Sequence, residues 1–386
     1  MIDRKIKKQV LKLAKSYPVV AITGPRQSGK TTLVKEIFKG YHYVNLEDVD
    51  MRQFAINDPR GFLQQFSEKV IIDEAQNAPD LFSYIQGVVD ECDVAGQYIL
   101  TGSQNFLLHD KISQSLAGRA AIFYLLPLSI AELKSADGLS DNLENLLYKG
   151  QYPRIYAKNL DPSQWYKNYL KTYIERDIRL MKNVHDLGTF QTFLKMCATR
   201  CGQLLDLTSL GNDCGINYKT AKAWINLLEA SFIVFQLRPH FNNLGKRLVK
   251  SPKLYFYDTG LLCALLSIEN KEQIQTHYMR GGVFESFVLS NLMKNQLNNN
   301  KDPSLYFWRD QQGHEVDCIL EQGSDLLPIE IKSGKTVSPD YFKGLNYWNK
   351  LSEASPDKSF LIYGGNSNQK RSNAQVLSWK DLDKIF

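Results

Sequence analysis

Nine residues constrain this chain more than any other stretch: Gly24-Pro25-Arg26-Gln27-Ser28-Gly29-Lys30-Thr31-Thr32. They fit the phosphate-binding pattern G-x-x-x-x-G-K-[ST], and their surroundings fit as well. Residues 18–23 (PVVAIT) read as a buried strand leading in, and residues 33–38 (LVKEIF) as the first turns of a helix. The chemistry needs each part. Glycines let the backbone curl until successive N–H groups face a polyphosphate, and the helix N-terminus adds partial positive charge. Lys30 then reaches the β- and γ-phosphates, and the Thr31 hydroxyl becomes a ligand for Mg²⁺. The stretch therefore calls for an α/β fold with a parallel sheet and a bound nucleotide.

The next strands extend that expectation. Residues 41–46 (YHYVNL) read as a strand closing on Glu47 and Asp48. Residues 69–76 (KVIIDEAQ) place Asp73 at the tip of a β-branched run, where it joins the Mg²⁺ shell. Glu74 follows, positioned to orient or deprotonate the attacking water. Residues 97–105 close a further buried strand on small polar groups. There Ser103 is the first choice to sense the γ-phosphate, against a plain Gly-Ser turn. Arg119, just before the strand 121–125, reads equally as a finger offered to a neighbouring subunit's nucleotide or as a helix C-cap.

Together these segments resemble the AAA+ ATPases. They are most similar to the prokaryotic group in which an AAA_14-like ATPase is fused to a DUF4143-type C-terminal region. Residues 171–177 (KTYIERD) and 251–260 (SPKLYFYDTG) look like markers of that group. The resemblance implies a protein that binds ATP with Mg²⁺ and hydrolyses it.

The second half has a different rhythm. Amphipathic runs at 190–201, 206–210 and 219–231, then short segments at 233–237 (IVFQL) and 246–250 (KRLVK), suggest helix, turn, helix and hairpin, a winged-helix reading. Tyr218, Lys219 and Lys222 on its second helix would touch DNA phosphates, with Lys246, Arg247 and Lys250 beside them. Packing against protein is the competing role. Further on, a helix at 283–296, strands at 305–308, 315–320 and 327–332, a helix near 338–351 and a strand at 360–363 give the order αβββαβ. That order resembles the core of PD-(D/E)xK nucleases. Glu330 and Lys332 share a strand face, and a hairpin brings Asp317 beside them. Two carboxylates and a lysine, with Glu285 completing the shell, suit metal-assisted phosphodiester cleavage. Exposed strand faces carry Glu and Lys commonly, so a solvated face is the alternative.

Composition sets the remaining bounds. The chain has 386 residues, 43% hydrophobic and 23% charged, with a net charge of +6. That is ordinary for a soluble protein of two or three domains and compatible with nucleic acid. We expect an ATPase domain at 1–130, a helical linker or lid at 131–185, a winged-helix-like module at 186–250 and a nuclease-like domain at 251–386. Six scattered cysteines suggest reduced thiols, and no apolar run is long enough to span a bilayer. A cytoplasmic protein without membrane contact is expected, with ATP, DNA or another nucleic acid, and further copies of itself as partners.

Overall fold

The computed structural model describes residues 2–92, 94–103, 115–173, 186–240 and 249–386. They form two compact units: Met1–Leu128 with Ala230–Phe232 and Gln296–Asp302, and Ser129–Glu229 with Ile233–Asn295 and Pro303–Phe386. Residues 131–173, expected as linker or lid, belong to the second unit.

In the first unit five strands, β1 (Val19–Thr23), β2 (His42–Asn45), β3 (Val70–Asp73), β4 (Tyr98–Gly102) and β5 (Ala120–Tyr124), form one sheet. All neighbours are parallel, in the order β2-β3-β4-β1-β5. β1, β3 and β4 are buried along their whole length, which their unbroken apolar runs require. Alternate residues serve opposite faces. Val19 and Ala21 pack with Phe62, Phe82 and Ile85, whereas Val20 and Ile22 pack with Val10, Leu33 and Val34. Helices on both faces thus make a closed sandwich, and the functional groups are left at the strands' C-terminal ends. Because β4 lies between β1 and β3, its own tip is flanked by the phosphate loop and the Asp-Glu turn.

The second unit is built on an eight-stranded sheet. Its strands are β6 (Val234–Pro239), β7 (Lys253–Phe256), β8 (Leu305–Arg309), β9 (Glu315–Gln322), β10 (Asp325–Lys332), β11 (Phe360–Tyr363), β12 (Gln369–Lys370) and β13 (Gln375–Ser378). Their order is β12-β13-β11-β10-β9-β8-β6-β7. Helix Arg280–Asn298 precedes β8, and helix Lys343–Ser352 carries the chain from β10 to its parallel neighbour β11. The expected sequence of elements in this part is therefore present. Trp308, Val316, Leu345, Trp348, Leu361 and Val376 form a core on the side of helix Lys343–Ser352.

The hairpin expected within 186–250 is corrected. Helices Leu207–Asp213 and Tyr218–Ala230 form, and Trp224 packs edge-on against Phe190 and Phe193 at 5.1 and 5.2 Å. The antiparallel partner of β6 is β7, with Val234 opposite Phe256 and Leu237 opposite Lys253. Val249 and Lys250 lie in no strand; Lys246 and Arg247 fall outside the described residues. β6 also pairs in parallel with β8, so the expected boundary at 250 falls between two paired strands. Lys253 hid this pairing, since a lysine in a short run reads as solvent-facing. All six cysteines are free, Cys197 and Cys201 buried among them. Among the described residues no helix is long and apolar enough to cross a membrane.

Candidate functional site

The phosphate loop leaves β1 through Gly24, where a Cβ would stand 2.2 Å from the Leu125 carbonyl oxygen; only glycine fits. Gly29, at φ +95°, turns the chain into helix Lys30–Ile37. Arg4 steadies the loop by donating to the Ser28 carbonyl at 2.7 Å and the Leu126 carbonyl at 2.6 Å. Lys30 is buried, and its ammonium donates to the Gly24 and Pro25 carbonyls at 2.9 Å each. Arg26 pairs with Glu47 at 3.7 Å. Among the described residues the buried Ser28 hydroxyl has no hydrogen-bond partner, a polar group inside the loop left to be satisfied.

Asp73, buried at the end of β3, gathers three hydroxyls. Thr31 donates to Oδ2 at 2.8 Å and Tyr43 to the same oxygen at 2.7 Å, while Thr101 donates to Oδ1. Glu74 sits in the left-handed region at φ +54°, a conformation costing a non-glycine residue about 1 kcal/mol. That turn places its Oε2 to accept from the Ser103 hydroxyl at 2.9 Å, the Ser103 amide at 3.3 Å, and the Gln76 amide group. An all-oxygen set from Thr31 and Asp73, beside a loop of backbone amides, fits Mg²⁺.

Thr31 of the loop thus meets Asp73, and Glu74 follows it on the turn. Ser103 bears on Glu74. Arg119 does not join them: its carbonyl accepts from the Val19 amide at 3.3 Å, at the far end of β1 from Gly24. Five residues of strand separate the two, roughly 16 Å. Its guanidinium donates to Asp90 Oδ2 at 3.0 Å and to the Ala117 carbonyl at 3.2 Å, so within one chain it does not reach its own loop. Thr101 and Tyr43 were missed by sequence reasoning. The position of Thr101 at the tip of a buried strand was the available signal; Tyr43 offered none beyond its aromatic ring.

The second unit brings together the other expected residues in a different manner. The β9–β10 ladder runs from Asp325 opposite Gln322 to Ile329 opposite Cys318, and there it opens. The Ile331 amide donates instead to Asp317 Oδ2 at 2.8 Å. Lys332 Nζ bridges Asp317 Oδ2 at 3.0 Å and Glu330 Oε1 at 2.5 Å. Glu330 Oε2 is buried and has no hydrogen-bond partner among the described residues. Glu285, from helix Arg280–Asn298, accepts the Tyr255 hydroxyl at 2.8 Å. Burial, with the Asp317 charge adding to it, pushes Glu285 up to about 7 and Glu330 up to about 8. Lys253 and Glu315, which sequence reasoning missed, pair at the same place. Lys253 is buried, but the charges of Glu285, Glu315 and Asp317 outweigh that and hold its ammonium above the ordinary range.

Glu285, Asp317 and Glu330 are the acids expected to share a metal. Among the described residues no group of three or more His, Cys, Asp or Glu stands in metal-holding geometry. Lys332 lies on both Asp317 and Glu330, and its ammonium offsets the cost of burying negative charge there.

A five-stranded parallel sheet carrying this loop and this Asp-Glu turn defines a P-loop ATPase domain of the AAA type. Comparison with known proteins agrees: an AAA domain model matches residues 16–134, a domain of unknown function (DUF8612) residues 140–272, and a second one (DUF4143) residues 280–382. An uncharacterized protein of Mycobacterium tuberculosis is 33% identical over 326 residues, covering 83% of this chain and 71% of that protein. Its counterpart in Mycobacterium bovis matches equally. The chain belongs to the family of these two proteins, and in it an AAA domain is joined to a DUF4143 region. Among solved structures it is similar to a Walker-type ATPase of Pyrococcus abyssi, with 15% identity, a TM-score of 0.47 and coverage of 69% of this chain and 96% of that one. DnaA of Aquifex aeolicus, solved with AMPPCP, shows 17% identity and a TM-score of 0.29, covering 58% and 85%.

Proposed function

We propose that the first unit binds Mg-ATP on residues 24–32 and hydrolyses it. The Asp73 carboxylate carries this reading, since it gathers the Thr31 hydroxyl beside a Glu74 held on a left-handed turn. Loop amides cradle the β- and γ-phosphates, and Lys30 exchanges the Gly24 and Pro25 carbonyls for phosphate oxygens. Bound magnesium would supply charge neutralisation at those oxygens. Glu74 orients the attacking water and takes its proton, and Ser103 fixes that carboxylate and senses the γ-phosphate. Arg119, turned away from its own loop, serves a neighbouring copy in a homo-oligomer. The test is calorimetric ATP binding with hydrolysis measured alongside. Lys30→Ala weakens binding; Glu74→Gln keeps it and loses hydrolysis, and parent-rate hydrolysis by Glu74→Gln would refute the assignment.

For the second unit we infer a nucleic-acid-facing region, nuclease-like and winged-helix-like in fold, whose action follows the nucleotide state of the first. The order helix-β8-β9-β10-helix-β11 supports it, with Asp317, Glu330 and Lys332 on adjoining strands. A second reading is favoured by Lys332 lying on both carboxylates: a binding switch without cleavage chemistry. A Mn²⁺ titration separates the two, made on Lys30→Ala chain so that the phosphate loop is disabled, together with DNA and RNA cleavage assays with and without ATP. Cleavage lost in Asp317→Ala, with ATP hydrolysis intact in the otherwise unaltered Asp317→Ala chain, supports the nuclease; equal Mn²⁺ affinity with and without Asp317 supports the switch.

A further inference from the structure

Asp73 has a partner that neither the loop pattern nor the strand pattern contains. Tyr43, on β2, donates its phenol to Oδ2, the oxygen that also accepts the Thr31 hydroxyl. A phenol keeps its proton at neutral pH, so Tyr43 acts here as a donor. The ring is gripped as well, with Lys35 Nζ 3.4 Å from its centroid. Thr31 and Lys35 are four residues apart on helix Lys30–Ile37 and so share a face. The helix therefore reaches Tyr43 twice, once through the carboxylate and once through the ring.

We propose that Tyr43 is a positioning residue for the divalent cation of the nucleotide site, an inference that rests on the Mg-ATP reading above. An aspartate carboxylate turns about a broad two-fold torsion. Here Thr101 holds one oxygen, and Tyr43 with Thr31 holds the other. Hydroxyls on both sides fix the plane of the carboxylate, and they do so with neutral donors that leave its charge available to a cation. Without the Tyr43 hydroxyl, Oδ2 keeps only Thr31, the group that must itself turn a lone pair to the metal. The partners that orient metal-binding side chains typically change metal affinity by about 10- to 100-fold when lost. Tyr43→Phe removes the hydroxyl alone and leaves the Lys35–ring contact in place.

The experiment is calorimetric ATP binding by parent and Tyr43→Phe, first in EDTA and then across a series of free Mg²⁺ concentrations. The variant keeps the parent's ATP affinity in EDTA within about twofold, which also certifies its fold, while the Mg²⁺ midpoint rises about tenfold. A midpoint equal to the parent's overturns the inference. So does an equal loss of ATP affinity with and without Mg²⁺, since the hydroxyl would then support the loop as a whole. A parent chain whose ATP affinity ignores Mg²⁺ overturns the Mg-ATP reading, and this inference with it.

Discussion

Asp73 and Asp317 are both buried aspartates in strands, at 4% and 7% exposure, yet their neighbours differ in kind. Hydroxyls from Thr31, Tyr43 and Thr101 meet the first; a lysine ammonium and a backbone amide meet the second. Hydroxyl donors orient a carboxylate without cancelling its charge, so the first arrangement is ready for a divalent cation. An ion pair cancels it, so the second is self-sufficient until Lys332 moves. Around Asp317 further acids crowd in, and burial together with the Asp317 charge drives Glu285 and Glu330 toward their neutral forms. The same residue type is thus met by neutral donors in one unit and by a counter-ion in the other.

The largest test of this contrast is catalytic. Glu74→Gln should lower ATP hydrolysis by about 10²- to 10⁴-fold with ATP affinity unchanged, the usual span for a general base. No substitution in the Asp317 cluster should approach that loss, and a comparable fall in Asp317→Ala would break the separation between the two sites.

Next comes stability. Lys332→Ala should destabilise the fold by about 2 kcal/mol in urea melts, below the roughly 3–5 typical of a fully buried pair because the Lys332 side chain is 30% exposed. If the loss is below about 0.5 kcal/mol, the cluster is not held by its lysine and the contrast fails.

A gentler test uses pH. Glu285 and Glu330 titrate higher folded than their ordinary 4.5, so the folded chain binds more protons than the unfolded one over that interval. Their contribution is full below about pH 4.5 and is lost as pH rises through 7 and 8. Thermal melts in EDTA should show stability falling from pH 5.5 to 8.5, with a shallower fall in Glu330→Gln. An identical slope would remove Glu330 from the cluster's proton balance.

The smallest effect concerns the surface. Tyr218, Lys219 and Lys222 are exposed on helix Tyr218–Ala230. Replacing both lysines with alanine should flatten the slope of log K against log salt for duplex DNA by about 1.8. An unchanged slope leaves that helix with a packing role.

How much of this was legible in the sequence differs between the two sites for a physical reason. The phosphate loop and the Asp73-Glu74 turn are local: glycines, lysine and threonine act within a few residues, so spacing carries the chemistry. Thr101 and Tyr43 arrive from other strands, and only the order β2-β3-β4-β1-β5 brings their hydroxyls to Asp73. In the second unit the order of elements was readable from alternation and turns. Lys253 was not, because its partners Glu315 and Glu285 lie on β9 and a distant helix. The lysine between Asp317 and Glu330 was expected as a catalytic group, and its place as their counter-ion follows from a β9–β10 ladder that opens after Cys318.

The left-handed backbone at Glu74 has a consequence for how this family can drift. A position at φ +54° is best filled by glycine or asparagine, so stability and chemistry pull it in opposite directions. Glu74→Gly should melt higher than Glu74→Ala, because it relieves a strain the alanine keeps. Under the hydrolytic role proposed for Glu74, a glycine at this position in a relative would mark a chain that holds nucleotide without turning it over.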